Sequence, residues 1–163
     1  MYKQVDDIDW EHWNPAVRAT LLFVFSGGRI LLMHKKRGFG KGKINGPGGK
    51  IEPGEGPLEC AIRETEEELC ITPTGVQKAG ELFFQFIDGY SIHGYVYTAD
   101  GYTGEPAETE EAIPLWCAID ELPFDRMWED DPTWFPHMLE GRYFIGRYVF
   151  DGDRMLDAVL ELD

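Results

Sequence analysis

Three carboxylates stand at a spacing that a helix makes consequential. Glu64, Glu67 and Glu68 lie at i, i+3 and i+4, and at about 100° per residue they share one side of any helix that contains them. Like charges so placed repel, at a cost of roughly a few tenths of a kcal/mol. Their position near the helix's C-terminal end adds a second penalty, because the helix dipole disfavours anions there. A hard divalent cation reverses both, since Mg²⁺ prefers carboxylate oxygens. Taken alone, such an acidic run is more often a solvated face.

The helix that must carry these residues runs from Pro57 to Leu69. Pro57 suits a first helical turn, and Leu58, Ala61, Ile62, Thr65 and Leu69 form one apolar stripe. Upstream, residues 37–50 (RGFGKGKINGPGGK) read as a glycine-rich loop. Lys35, Lys36, Arg37, Lys41, Lys43 and Lys50 are six of the fifteen Lys and Arg residues of a chain whose formal net charge is −15. Such a balance repels long nucleic acids and anionic membranes. One basic loop in an acidic chain still suits a small polyanion, particularly with a divalent cation between them.

The remaining elements are mostly strands. Val17 to Ser26 and Arg29 to His34 flank the turn signal Gly27-Gly28, Ala79 to Ile87 and Tyr90 to Thr98 flank Asp88-Gly89, and Arg142 to Phe150 and Arg154 to Leu160 flank Asp151-Gly152. Ile113 to Ile119 is a further strand, residues 100–111 an acidic loop, and Pro132 to Leu139 a second helix, broken or bent near Pro136. Residues 1–16 lack periodicity and read as an N-terminal extension, with residues 17–163 as one domain. Hairpins with two separated helices predict an α+β fold, a mixed sheet with helices packed on it. With 163 residues and 43% hydrophobic content, the chain can bury a real core. No apolar run is long enough for a bilayer, and the polar, acidic N-terminus is unlike a signal peptide. The expected location is therefore the cytoplasm. Cys60, Cys70 and Cys117 fit neither a disulfide framework nor a zinc spacing and read as reduced, small buried hydrophobes.

The spacing Gly49, Glu55, Arg63, Glu64, Glu67, Glu68, Ile71 resembles the Nudix box, G-x5-E-x7-R-E-U-x-E-E-x-G-U, at seven fixed positions within residues 49–71. The chain departs from it at Thr65, an apolar position, and at Cys70, which replaces the last glycine. If that glycine serves a helix end with positive φ, Cys70 carries a strain cost or a changed turn. The resemblance implies a Nudix fold, an α/β/α sandwich. It also implies a metal site of Glu64, Glu67 and Glu68 with the Gly48 carbonyl, filled by Mg²⁺ or Mn²⁺, and an Arg63 that orients the glutamates by ion pairing, with Glu55 either pairing with Arg63 or helping to hold the loop. Glu111 aligns with a glutamate near the metal site and is an additional candidate ligand or base. The family uses its cation to activate water and neutralise a chain of phosphates.

Outside the box, Lys35 to Gly40, Asn45 to Lys50, and Leu122 to Asp131 followed by Trp134-Phe135-Pro136 are similar to the MutT-homologue subfamily, whose members hydrolyse oxidised purine nucleoside triphosphates. That resemblance implies a base pocket of Thr20, Lys35, Phe39, Asn45, Phe84, Phe86, Trp128, Asp130, Asp131 and Trp134. Aromatic faces stack a purine, Asn45 offers both donor and acceptor, and two adjacent buried carboxylates do not both ionise easily. One then donates a hydrogen bond while the other accepts, a pair suited to an oxidised purine. Core packing is the competing reading for Phe84, Phe86 and Trp134. Ile44 and Pro47 depart from the subfamily's aromatics, and the hairpin at Ile87 to Ile92 is shorter. His34, His93 and His137 read as structural or exposed.

The expected activity is an 8-oxo-dGTP diphosphatase that releases monophosphate and pyrophosphate, a nucleotide-pool sanitation enzyme supporting DNA repair, with a monomer favoured. The alternatives are a Nudix pyrophosphohydrolase for another purine nucleotide or a capped RNA end, and a non-catalytic nucleotide sensor. The intact Arg63, Glu64, Glu67 and Glu68 argue against the last.

Overall fold

The computed structural model describes residues 2–163. Strands β1 (Val17–Ser26) and β2 (Arg29–Lys35) form the first expected hairpin, followed by the two-residue β3 (Ile44–Asn45) and helix α1 (Pro57–Leu69). Next come β4 (Ile71–Thr74), β5 (Gln77–Phe86), β6 (Ser91–Ala99), β7 (Gly101–Gly104) and β8 (Ala112–Ala118). Helix α2 (Asp131–Leu139) and the hairpin β9 (Phe144–Asp151) and β10 (Arg154–Leu162) complete the chain.

Eight strands make one mixed sheet in the order β10-β9-β5-β6-β1-β2-β3, with β8 paired to β2. The β1–β6 and β5–β9 pairs are parallel and the others antiparallel. Alternation along β1 sorts the two faces. Leu22 and Val24 pack with Ala61 and Leu69 of α1, whereas Phe23 packs with Trp134 and Phe135 of α2. The helices thus cover opposite faces; Ala61, Thr65 and Leu69 of the expected α1 stripe are buried with Cys60, whereas Leu58 is exposed and Ile62 only partly buried.

Three local expectations are corrected. The glycine-rich loop contains β3, whose Ile44 and Asn45 pair with His34 and Met33. The acidic loop 100–111 begins with β7, paired to β4 in a separate small sheet; Tyr102 packs against Trp116 there, 5.8 Å between ring centroids. Four-residue strands carry too short a pattern to be read by alternation. Helix α2 is continuous through Pro136. The proline forgoes one helical hydrogen bond, and the burial of Trp134, Phe135 and Met138 on this short helix holds it in place.

The aperiodic N-terminal segment packs on the sheet. Val5 and Ile8 are buried with Val149 of β9, and Trp10 and Trp13 lie beside them, with Phe83 at 6.2 and 5.7 Å from their rings. At the end of α1, Cys70 adopts φ 64°, the one non-glycine residue at positive φ among those described. The missing box glycine is therefore a strained left-handed helix cap. All three cysteines are free thiols.

Candidate active site

Two sites meet at one dipeptide. Gly48 and Gly49 lie where the loop after β3 crosses α1 and β1. The Gly48 N–H donates to Glu68 Oε1 at 2.9 Å, and Thr20 N–H donates to the Gly49 carbonyl at 2.9 Å. A Cβ on Gly48 would sit 1.8 Å from the Thr20 carbonyl oxygen, and one on Gly49 would sit 2.5 Å from the Glu64 carboxyl carbon. Only glycine permits this approach of loop to helix.

On one side of the dipeptide is an acidic cleft lined by Glu64, Glu67, Glu68, Thr109, Glu110, Glu111 and Arg37. Glu68 is buried, and loss of solvation pushes its carboxyl up to about 8, partly opposed by the Gly48 N–H. Burial also raises Glu64, against the pull of Arg63. The Arg63 guanidinium forks onto Glu55, Nε to Oε2 at 2.6 Å and Nη2 to Oε1 at 3.0 Å, and its Nη1 reaches Glu64 at 2.9 Å and Glu67 at 3.2 Å. The hydrogen bonds from Arg63 hold Glu55 down at about 2. Buried Glu68 and half-buried Glu64, both with raised proton affinity, fit a divalent cation, whose charge offsets the desolvation that burial imposes. Glu64, Glu67, Glu68 and Glu111 would hold it from this cleft. The Gly48 carbonyl belongs to the same dipeptide. Glu111 is ion-paired to Arg37, and that hydrogen bond lowers its proton affinity.

On the other side is a cavity of about 270 Å³. Lys35, Phe39, Asn45, Phe84, Phe86, Trp128, Asp130 and Asp131 all line it, together with Gly48, Gly49 and Lys50. Phe39, half exposed, stacks on Trp128 at 5.2 Å and 15°. Phe84 stacks on Tyr148 at 5.4 Å, so the β5 aromatics serve the core and the cavity wall together. Asn45 Oδ1 accepts from the Gly46 N–H at 2.8 Å, which orients its amide.

Asp130 and Asp131 are both buried. Asp130 Oδ2 accepts from the Trp134 indole N–H at 2.8 Å, while Asp131 Oδ2 is buried with no partner. Burial raises both above the ordinary carboxylate range, and the negative charge of Asp130 raises Asp131 further. Asp131 is thus the member with the stronger drive to hold a proton, and it lines the cavity.

Two expected pocket residues are placed differently. Trp134 is fully buried, stacked on Phe144 at 5.2 Å, and acts on the cavity through Asp130. Thr20 reaches the wall, but its hydroxyl faces Cys60 Sγ on the α1 side at 3.4 Å. Sequence reasoning omitted Tyr90 and Phe150, which also line the cavity. The alternation that places Phe86 inward, continued across the Asp88-Gly89 turn and along β9, was the available signal. It omitted Arg37 of the acidic cleft as well, since a lysine-rich run does not single out one cation. Of the histidines, His93 is half-buried and bonded to Glu81 at 2.8 Å.

Known proteins resemble this chain in sequence and in fold. The chain is 44% identical to an oxidized purine nucleoside triphosphate hydrolase of Danio rerio, over 88% of this chain and 96% of that protein. It is 39% identical to the Mus musculus protein of the same name, over 86% and 92%. The crystal structure of a mutator MutT protein from Bacillus halodurans superposes with a TM-score of 0.78 at 28% identity, covering 90% of this chain and 97% of that one. Residues 15–138 match the NUDIX domain, a span that holds the acidic cleft, the glycine dipeptide and the aspartate pair, and the chain belongs to the Nudix family.

Proposed function

We propose that the protein hydrolyses purine nucleoside triphosphates with an oxidised base, of the 8-oxo-dGTP type, to monophosphate and pyrophosphate. One observation carries this reading above the others: a buried aspartate pair in an aromatic cavity that shares the Gly48-Gly49 wall with the glutamate cleft. A nucleotide laid across that wall puts its base against Asp130 and Asp131 and its phosphates beside Glu64, Glu67 and Glu68. The names of the Danio rerio and Mus musculus relatives agree with that substrate class.

In this reading the purine ring lies against Trp128, which Phe39 backs by stacking on it, and Phe84 and Phe86 close its apolar edge. The protonated Asp131 donates to an acceptor on the base, and the Asp130 carboxylate accepts from a base N–H. Asn45 supplies a further polar contact, and Lys35 faces the phosphates. Mg²⁺, or Mn²⁺ in its place, supplies charge neutralisation and an activated water when bound. Glu64, Glu67, Glu68 and Glu111 hold the cation, and Arg63 fixes the rotamers of Glu64 and Glu67. Residues 17–163 form the Nudix domain, with 1–16 as an extension of it. Among the described residues no helix is long and apolar enough to cross a membrane, and nucleotide-pool sanitation in the cytoplasm is the role that fits this substrate.

Product analysis tests the reading. With 8-oxo-dGTP and Mg²⁺ the first products should be the monophosphate and pyrophosphate, and EDTA should abolish their release. Orthophosphate as the first product would refute the proposed placement of triphosphate and cleft.

A further inference from the structure

The cavity mouth is shaped by side chains on the opposite face of the sheet. Phe86 and Tyr90 bracket the turn between β5 and β6, line the cavity, and both pack on Phe39, 5.8 Å from each ring. Next to that pair in register, Gln85 stands opposite Ser91, and its side chain points away from the cavity and is buried. Its amide nitrogen donates to the carbonyls of Phe86 at 2.9 Å and Tyr90 at 3.2 Å, tying the two ends of the turn together. Its amide oxygen accepts from the Trp13 indole N–H at 2.8 Å. Ser91, also buried, accepts from the Ala16 N–H through Oγ at 2.8 Å. The N-terminal segment is anchored independently, with Val5 N–H donating to Asp157 Oδ2 at 2.8 Å and Trp10 Nε1 to the Val5 carbonyl at 3.1 Å.

We propose that Trp13 and Gln85 are positioning residues for the nucleotide pocket, so that the N-terminal segment helps to set substrate affinity by fixing the Phe86–Tyr90 hairpin. Without the Trp13 N–H, the Gln85 oxygen is buried unpaired, which favours rotation of the amide and leaves the Phe86 and Tyr90 carbonyls with only their backbone donors, the N–H groups of Gly89 and Phe86. The aromatic contacts to Phe39 then loosen. The glutamate cleft lies beyond the Gly48-Gly49 wall and shares none of these hydrogen bonds, so the chemical step is left intact.

This inference rests on the cavity being the base pocket, and the experiment separates the two. Trp13→Phe keeps an aromatic ring but removes the N–H with part of the indole, and Gln85→Met keeps the volume, removes both polar atoms and leaves the Trp13 ring packing in place. In the full-length protein with 8-oxo-dGTP and Mg²⁺, each should raise KM by about three- to tenfold, the scale of one or two net hydrogen bonds, with kcat within about twofold of the parent. Amide hydrogen exchange at Phe86 to Tyr90 should quicken in both, whatever nucleotide the pocket takes. Unchanged KM in both variants, or a loss of kcat and folded fraction at constant KM, would overturn the proposal. A parent inactive on purine triphosphates would overturn the base-pocket reading instead, and unchanged hairpin exchange would then still refute the positioning role.

Discussion

The acidic cleft and the aromatic cavity bury the same functional group and treat its charge in opposite ways. In the cleft, Glu64 and Glu68 are raised by burial but stand beside Arg63 and the Gly48 N–H, both of which favour the ionised form. In the proposed reading a bound cation restores the charge that burial disfavours there. In the cavity, Asp131 Oδ2 has no partner, and the charge of Asp130 raises Asp131 more than Lys43 lowers it. In the proposed reading charge is discarded there, by keeping a proton. A carboxylate therefore becomes a metal ligand or a neutral donor according to what the surrounding backbone and side chains offer it.

The contrast breaks most visibly if charge is removed from both places. Glu67→Gln takes away a ligand charge at almost constant volume. It should lower kcat by about two to three orders of magnitude, the scale on which an enzyme loses one preorganised electrostatic group, while the fold persists. Near-normal turnover would remove Glu67 from the metal site. In the cavity an amide imitates a protonated acid better than a carboxylate. Asp130→Asn should therefore cut kcat/KM on an oxidised purine by about 10- to 100-fold, the value of a charge-assisted hydrogen bond, and Asp131→Asn by several-fold less. The reverse ranking in steady-state kinetics would move the proton to Asp130.

A pH titration sharpens the same point. Both aspartates have folded-state proton affinities above the unfolded value of 3.8, Asp130 at about 6 and Asp131 higher. The folded protein therefore binds more protons than the unfolded chain between those limits. Stability contributed by the pair is present below about pH 4 and is lost as pH rises through 6 and beyond. Urea unfolding midpoints from pH 4 to 8 should fall with a slope that Asp131→Asn flattens; an unchanged slope would argue against a protonated Asp131. The smallest expected effect is on α1. Cys70→Gly relieves the left-handed cap at φ 64° and should stabilise the fold by about 1 kcal/mol in the same unfolding assay, without altering kinetics.

The cleft was far more legible in the sequence than the cavity. Its candidate ligands, apart from Glu111, sit on one helix turn and one glycine dipeptide, where 3.6-residue periodicity and a fixed box spacing convert directly into geometry. The cavity draws on β2, the glycine loop, β5 and the start of α2, and nothing local says which of several aromatics faces it. Hence Trp134 was placed in the pocket although it supports Asp130 from beneath, and Tyr90 was not placed there although it lines the wall. The strands β3, β4 and β7 were too short for alternation to emerge. The N-terminal segment has no period at all, and its packing depends on a sheet formed by residues far along the chain. The overall mixed sheet with one helix on each face was recoverable from hairpin signals and the box resemblance together.

Base discrimination tests the central claim most directly. The ratio of kcat/KM for 8-oxo-dGTP over dGTP should be large in the parent, because the Asp130–Asp131 pair offers one acceptor and one donor to a base edge that only the oxidised purine matches. The ratio should shrink in both Asp130→Asn and Asp131→Asn while metal dependence is unchanged. Equal efficiency on the two triphosphates, with indifference to both substitutions, would contradict it.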